Sequence, residues 1–397
     1  MKNHSTITTT EMRGVNRTAI LDIIRRKSPI SRLGIAQELN VSLPTVMRIV
    51  DEFLEEKLVR YSGEKDWSGG RKRPLIEFNA TENLSIGIDL GGTKFYGAVA
   101  DLGGKILHEM TIDHNNSKGE ASYAHLIKLV DILLCHAHQS GQRIRGIGVG
   151  VPGVTYHEEG VVEWAPSLEW RDFHLKEKLN LKYHLPVIVD NDVSLSALGE
   201  LWFEAGQNAR NLVLITIGTG IGAGVIIDGM IYRGSHNAAG EVGYLLPTPS
   251  FLNHIYEGFG ALEQIASGLG IAHRARNVLS SFRSGDEVIS ITAEDVFASA
   301  RDGDIWALEI YNETVDYLAQ LIVTISLCYD PDVIILGGGM ARYADLLIDS
   351  IRKRIEGKMP FHLNLLPSAL GPRAAVMGAI ISLLQTTSNL YVVRKLS

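Results

Sequence analysis

The fold turns on the stretch Leu84-Ser-Ile-Gly-Ile-Asp89-Leu-Gly91-Gly92-Thr93-Lys94-Phe-Tyr-Gly-Ala-Val-Ala100-Asp-Leu-Gly-Gly-Lys-Ile-Leu107. An apolar strand enters a Gly-Gly turn, and a second and third strand leave it. Glycines at such a turn let backbone N–H groups approach phosphate oxygens. Thr93 and Lys94 add a donor and a charge, and Asp89 at the strand end suits a Mg²⁺ held through water. Gly-x4-Gly-Lys-Ser/Thr is absent from this stretch, so it is not a Walker A loop. Alone, the pattern fits an ordinary glycine hairpin equally well. Two further clusters favour the phosphate reading. Asn211-Leu-Val-Leu-Ile-Thr-Ile217-Gly218-Thr219-Gly220-Ile-Gly222-Ala-Gly224-Val-Ile-Ile-Asp228-Gly229 repeats strand, glycine turn and strand about 127 residues further on, an internal duplication. Pro331-Asp-Val-Ile-Ile-Leu336-Gly337-Gly338-Gly339-Met340 reads as a buried strand running into a triple glycine, suited to backbone packing against an adenosine.

Toward the N-terminus the charge changes sign. Residues 1–74 hold 14 Lys and Arg against 9 Asp and Glu, while the rest holds 24 against 36. A basic head on an acidic body points to a polyanion partner for the head. From Val15 to Lys27, Ile20, Leu21, Ile23 and Ile24 recur at helical spacing before Pro29. Ser31 caps a short second helix, Asn40-Val41 turns, and Ser42 caps a third helix with Pro44 in its first turn. In that third helix Val46, Ile49, Val50, Phe53 and Leu54 face a core, leaving Ser42, Leu43, Thr45 and Arg48 outward, the arrangement of a recognition helix in a major groove. Two strand-like stretches, 58–61 and 74–78, are joined by a flexible loop ending in Arg71, Lys72 and Arg73, a wing placed to contact phosphates or a minor groove. Three helices with a hairpin also occur as protein-interaction modules, and the cationic wing and capped third helix favour DNA.

At 45% hydrophobic and 21% charged, 397 residues can bury a large core over two or three domains, which excludes a disordered chain. The longest apolar run, Leu321 to Tyr329, falls short of the ~18–20 residues of a membrane-spanning helix. The polar first ten residues do not resemble a secretory signal, so a cytoplasmic protein is expected. Cys135 and Cys328 alone cannot make a disulfide framework or a zinc site of three or four cysteines.

The three glycine clusters and the head together resemble the actin-like sugar kinase superfamily, and within it the ROK family of bacterial repressors and sugar kinases, over essentially the whole chain. The resemblance implies an α/β, two-lobed actin-like (ribonuclease-H-like) fold behind a winged helix-turn-helix. It implies domains at 1–80 (head), 84–192 (N-terminal lobe, with the C-terminal helix 376–397 packing back on it) and 193–375 (C-terminal lobe). It also implies a sugar or sugar phosphate deep in the cleft, ATP with Mg²⁺ above it, operator DNA at the head, and a homodimer or homotetramer. By position, Ile147-Gly-Val-Gly-Val-Pro152-Gly153 is similar to the turn bordering the sugar pocket. Val187-Ile-Val-Asp-Asn191-Asp192-Val-Ser-Leu-Ser-Ala-Leu-Gly-Glu200 is similar to the Asn-Asp motif, whose aspartate, Asp192, is the catalytic base. Gly240-Glu241-Val-Gly243 and Leu262-Glu263 supply two carboxylates for sugar hydroxyls. The chemistry is general: a carboxylate that accepts the proton makes a hydroxyl a better nucleophile toward phosphorus. Asp192 also stands where a helix N-cap is expected.

The chain departs from the family pattern between Gly240 and Glu263. Tyr244 occupies the position of a zinc-binding histidine, and the cysteines are missing. His254 alone does not make a four-ligand site, so no zinc is expected. Packing of Leu245, Phe251, Ile255 and Phe259 is expected to hold this segment instead. Ser167, in Trp164-Ala-Pro-Ser-Leu-Glu-Trp170, stands where the family commonly has asparagine, so with Tyr244 the sugar contacts are altered. The expected function is a sugar-responsive, DNA-binding transcriptional regulator. The alternatives are an ATP-dependent sugar kinase carrying a DNA-binding head, with Asp192 as base, and a nonenzymatic interaction protein.

Overall fold

A computed structural model describes residues 9–66, 73–207, 209–256, 258–280, 290–388 and 390. The head comprises α1 (Thr9–Lys27), β1 (Ile30–Ser31), α2 (Arg32–Leu39), α3 (Leu43–Glu55), β2 (Val59–Asp66) and β3 (Arg73–Phe78). The Ser31 and Ser42 side chains accept from the Gly34 and Thr45 amides, and Asn40 takes the left-handed conformation that ends α2, so local capping chemistry sets the helix-turn-helix. Helix α1 starts at Thr9 rather than near Val15; Arg13, in the added turns, pairs with Glu52 on α3 at 2.6 Å. The sheet order is β1-β3-β2, the strands antiparallel.

The body contains two five-stranded sheets of one plan. The first runs β11-β7-β4-β5-β6, from β4 (Asn83–Leu90), β5 (Lys94–Asp101), β6 (Ile106–Asp113), β7 (Arg143–Val151) and β11 (Val187–Asn191). The second runs β14-β13-β12-β15-β16, from β12 (Leu212–Ile217), β13 (Ile221–Ile227), β14 (Met230–Ile231), β15 (Val333–Gly337) and β16 (Leu365–Pro367). In each, three strands form an antiparallel meander and two more join in parallel beside the first strand. The duplication read in the glycine turns therefore extends to topology. A small sheet of β8 (Val154–Tyr156), β9 (Val161–Ala165) and β10 (Trp170–Phe173) extends the first lobe.

Helices α4 (Gly119–Gln139) and α5 (Leu175–Tyr183) cover the first sheet, and α6 (Asp192–Phe203) follows β11. Helices α7 (Glu263–Ala266), α8 (Gly268–Ser280), α9 (Ala293–Asp302), α10 (Ile305–Tyr329) and α11 (Ala344–Ile355) belong to the second lobe. The last helix, α12 (Ala374–Thr387), lies on α6, β4 and β7. Backbones touch there: a Cβ on Gly148 would meet the Ala379 oxygen at 2.6 Å, and one on Gly378 would meet the Leu195 oxygen at 1.7 Å. The helix ends at Thr387, short of the span expected from sequence; residues 391–397 lie outside the described residues. Among the described residues, no helix is long and apolar enough to cross a membrane.

Head and body share one apolar core, in which Ile20, Leu21, Ile24 and Phe53 pack with Ala98, Leu102, Met377, Ile380 and Leu384. Arg17, 5% exposed, ties the same junction. Its guanidinium bonds Glu52, donates to Glu56 at 2.7 Å and, through Nε, to the Ser388 carbonyl at 3.2 Å.

Candidate functional site

The parallel register aligns the ends of β4, β7 and β11, so Asp89 stands opposite Gly150 and Val151 opposite Asn191. In the second sheet Thr216 aligns with Gly337. These ends face each other across a cavity of about 640 Å³. Its walls bring together Asp89, Gly91, Gly92, Gly153, Ser167, Asn191, Asp192, Gly218, Thr219, Gly220, Gly222, Glu241, Tyr244, Glu263 and Gly339. Trp164 and Phe259 also line it, although from sequence Phe259 is expected only to pack its own segment and Trp164 is given no role.

Thr93, Lys94 and Gly338 lie outside these walls. Lys94 pairs at 3.7 Å with Asp113, both exposed, because the first residue of β5 aligns with the last residue of β6. Gly338, at φ +84°, has room for no side chain, since a Cβ would meet the Ile217 oxygen at 2.5 Å. Its contribution is to let β15 pass the end of β12. The Gly91-Gly92 turn is held from behind by His114, which is fully buried, stacks on Phe95 at 4.4 Å and places Nε2 3.2 Å from the Gly91 carbonyl.

The helix cap falls one residue earlier than expected. Asn191 is the N-cap of α6: its Oδ1 accepts from the Ser194 amide at 2.9 Å and its Nδ2 donates to the Gly153 carbonyl at 3.0 Å. Asp192 is thereby freed from capping, and its carboxylate accepts from the adjacent Val193 amide at 2.9 Å. Burial raises the Asp192 carboxyl above the usual carboxylate range, with backbone amides opposing. Burial first, then the Asp192 charge, raises Asp89 as well. Glu241 is pushed up to about 7 by burial, with Asp192 and Glu263 adding to it. Four carboxyls crowd this cleft, and a cation or a hydroxyl-rich ligand would relieve them.

Glu263 is anchored: Oε1 accepts from the Ile221 amide and Oε2 from the Gly260 amide, each at 2.8 Å. It joins the second glycine turn to the segment that closes the cleft. Packing of Leu245, Phe251, Ile255 and Phe259 does not hold that segment, since Ile255 is 91% exposed and Leu245 and Phe259 are each 40% exposed. Hydrogen bonds hold it instead. The Tyr244 hydroxyl donates to the Gly258 carbonyl at 3.0 Å, Tyr256 donates to the Phe251 carbonyl at 3.0 Å, and the Leu262 amide donates to the Gly243 carbonyl at 2.9 Å. Ser167 brings a buried hydroxyl with no hydrogen-bond partner among the described residues, available to a ligand.

Asp190, next to the Asn191-Asp192 pair, has a separate part that no local pattern marks. Its carboxylate, 1% exposed, receives Arg233 Nη2 at 2.5 Å and faces His157 Nδ1 at 3.2 Å. Burial alone would raise it, but the bonds from His157 and Arg233 hold it down at about 2. Arg233 begins the loop that carries Glu241, so this pair braces the two lobes beside the cleft. Two aspartates flank Asn191, and only the fold separates Asp190, paired with Arg233, from Asp192, which faces the cleft.

In the head, Ser42, Leu43 and Arg48 are exposed on α3 and Thr45 is half-buried, its hydroxyl 2.8 Å from that of Ser42. Arg73 opens β3, whereas Arg71 and Lys72 lie outside the described residues. Arg32 bonds Asp51 on α3 and reaches the Tyr61 hydroxyl at 3.3 Å.

Residues 85–386 match the ROK family and residues 16–60 match a winged helix-turn-helix DNA-binding family. A glucokinase of Halalkalibacterium halodurans is 34% identical over 68% of this chain and 84% of its own length. A putative xylose repressor of Caldicellulosiruptor sp. is 30% identical over 96% of both chains. Among solved structures, a ROK family transcriptional regulator, homolog of the E. coli MLC protein, superposes with a TM-score of 0.83 at 24% identity, covering 96% of this chain and 98% of that one. A ROK glucokinase from Streptomyces griseus in complex with glucose and AMPPNP gives 0.66 at 29% identity, covering 76% of this chain and 99% of that one. With the family domain over most of its length and a DNA-binding unit in front of it, the chain belongs to the ROK family.

Proposed function

We propose that this chain is a sugar-responsive DNA-binding repressor acting in the cytoplasm, in which the cleft takes a sugar or sugar phosphate and the head binds an operator as a homodimer or homotetramer. The observation that carries this reading is the shared core of head and body. Helix α6 begins at Asp192 in the cleft and ends at Trp202, which Arg25 of α1 contacts, and Phe203, which packs on the shared core, so a ligand that favours one lobe arrangement also biases the head. The near full-length match to a putative xylose repressor supports it. In the test, a duplex is selected from a random-sequence pool with the full chain, and its binding is titrated with D-xylose, D-glucose and their phosphates. One of them is expected to change affinity by about tenfold. Should none change either DNA affinity or the melting temperature, the sensor reading fails. Replacing Arg71, Lys72 and Arg73 with alanine should also flatten the salt dependence of binding, by about 0.9 in log–log slope for each phosphate no longer neutralised.

The carboxyls of the cleft favour a second reading, an ATP-dependent sugar kinase that keeps its DNA-binding head. The donor set fits ATP with Mg²⁺: Asp89 and Asp192 repel each other in a buried site, and the Gly91-Gly92 and Gly218–Gly222 turns present backbone to the cavity. The nucleotide would supply the phosphoryl group, and the cation would neutralise its charge. Asp192 would accept the proton of the sugar hydroxyl, while Glu241 orients neighbouring hydroxyls from across the cleft. An ADP-release assay across the same sugars separates a kinase from a sensor.

A further inference from the structure

Helix α3 buries Val46, Ile49, Val50 and Phe53. Its opposite face exposes two apolar side chains, Leu43 at 38% and Met47 at 44%. Four residues apart, they lie on one stripe, one turn above the other, about 6 Å along the axis. Among the described residues of the head, the one other large apolar side chain this exposed is Tyr61, on the wing. Side by side on the outward face, Leu43 and Met47 form a small contiguous apolar stripe rather than two scattered side chains.

We infer that Leu43 and Met47 read thymine methyl groups in the major groove, making the operator half-site one that needs thymine at two positions within about two base steps. This rests on the DNA-binding reading above and goes beyond it to the bases recognised. Thymine's C5-methyl is the apolar group a major groove presents. The residues around the pair suit nucleic acid rather than another protein: Ser42, Thr45 and Arg48 flank it, and the helix N-terminus, favourable to phosphate, opens at Leu43. Asp51 continues the stripe and would repel the DNA backbone, but Arg32 engages its carboxylate. The head's excess of cations over anions agrees.

The test uses the full chain and a duplex selected from a random-sequence pool. Each thymine of the selected half-site is replaced by deoxyuridine, which removes the methyl and leaves the pairing edge intact. Wild type should lose about three- to fivefold in affinity per critical methyl. Leu43→Ala and Met47→Ala should each bind the thymine duplex more weakly and lose sensitivity to one of the two substitutions. Both side chains are exposed, so circular dichroism of the variants should match wild type. Equal binding of the thymine and uracil duplexes by wild type overturns the inference while leaving DNA binding intact. So does full methyl sensitivity in both variants, or a change of oligomeric state caused by either, which would assign the stripe to a second copy. If no duplex is enriched, the DNA-binding reading itself falls, and the inference with it.

Discussion

The guanidinium of Arg25, in the last turn of α1, lies 4.4 Å over the indole of Trp202, at the end of the helix that begins with Asp192 in the cleft. The same guanidinium donates to the Trp202 carbonyl at 3.3 Å, so cation–π and hydrogen-bond contacts act together across the head–body junction. Replacing Arg25 with methionine should weaken head docking by about 1–2 kcal/mol. Hydrogen exchange should then speed up in α1 and α3 and remain unchanged in the strands of the body. Uniform acceleration, or none, would contradict a local junction.

The Asp190–Arg233 pair makes a prediction about acid stability. The Asp190 carboxyl lies below its unfolded value of 3.8, so its stabilisation is present above that value and is lost as pH falls through about 2. Arg233→Met leaves a buried carboxylate with His157 but without its guanidinium partner and should cost about 3 kcal/mol at neutral pH. Acid unfolding should begin at higher pH in the variant. If Asp190→Asn and Arg233→Met add independently in a double-mutant cycle, the pair does not brace the lobes.

Glu241 predicts the opposite sign. Its folded-state value of about 7 stands above the unfolded 4.5, so the native state binds more protons between those values and stability falls as pH rises through that window. Glu241→Gln removes the charge and should stabilise the protein by about 1–2 kcal/mol near pH 8, with little effect near pH 4.5. Urea unfolding at the two pH values measures this, and the same midpoint shift at both would refute it.

Asp192→Asn separates catalysis from sensing. If the chain phosphorylates a sugar, the variant should lose at least about 100-fold in turnover and keep most of its sugar affinity, because the amide can still hydrogen-bond but cannot take the proton. Wild-type turnover in the variant would remove Asp192 from the chemistry. Preserved sugar-dependent release of DNA would mean that binding alone drives the response.

Metal analysis of the purified, untagged chain tests the segment from Tyr244 to Glu263. Its hydrogen bonds, Tyr244 to Gly258 foremost, should hold it without stoichiometric zinc, and Tyr244→Phe should cost about 1 kcal/mol.

The sequence by itself determined what depends on near neighbours. Strand–glycine–strand patterns at Leu84–Lys94 and Leu212–Gly222 specify their own hairpins, since alternation and a glycine turn are properties of a few consecutive residues. Serine caps at Ser31 and Ser42 likewise announced α2 and α3. Tertiary structure decided whatever depends on separated segments meeting. Asn191 rather than Asp192 caps α6 because the Gly153 carbonyl stands where the Asn191 amide can reach it. Lys94 turns from the cleft because β6 brings Asp113 beside it. Asp190 became a brace because Arg233, 43 residues on, folds against it, and Arg17 became a junction because Ser388 returns from 371 residues away. Such contacts leave no local period in the chain; they arise only when both lobes and the head have closed around their cores, and burial then decides which carboxylate is paired and which is left to meet a ligand.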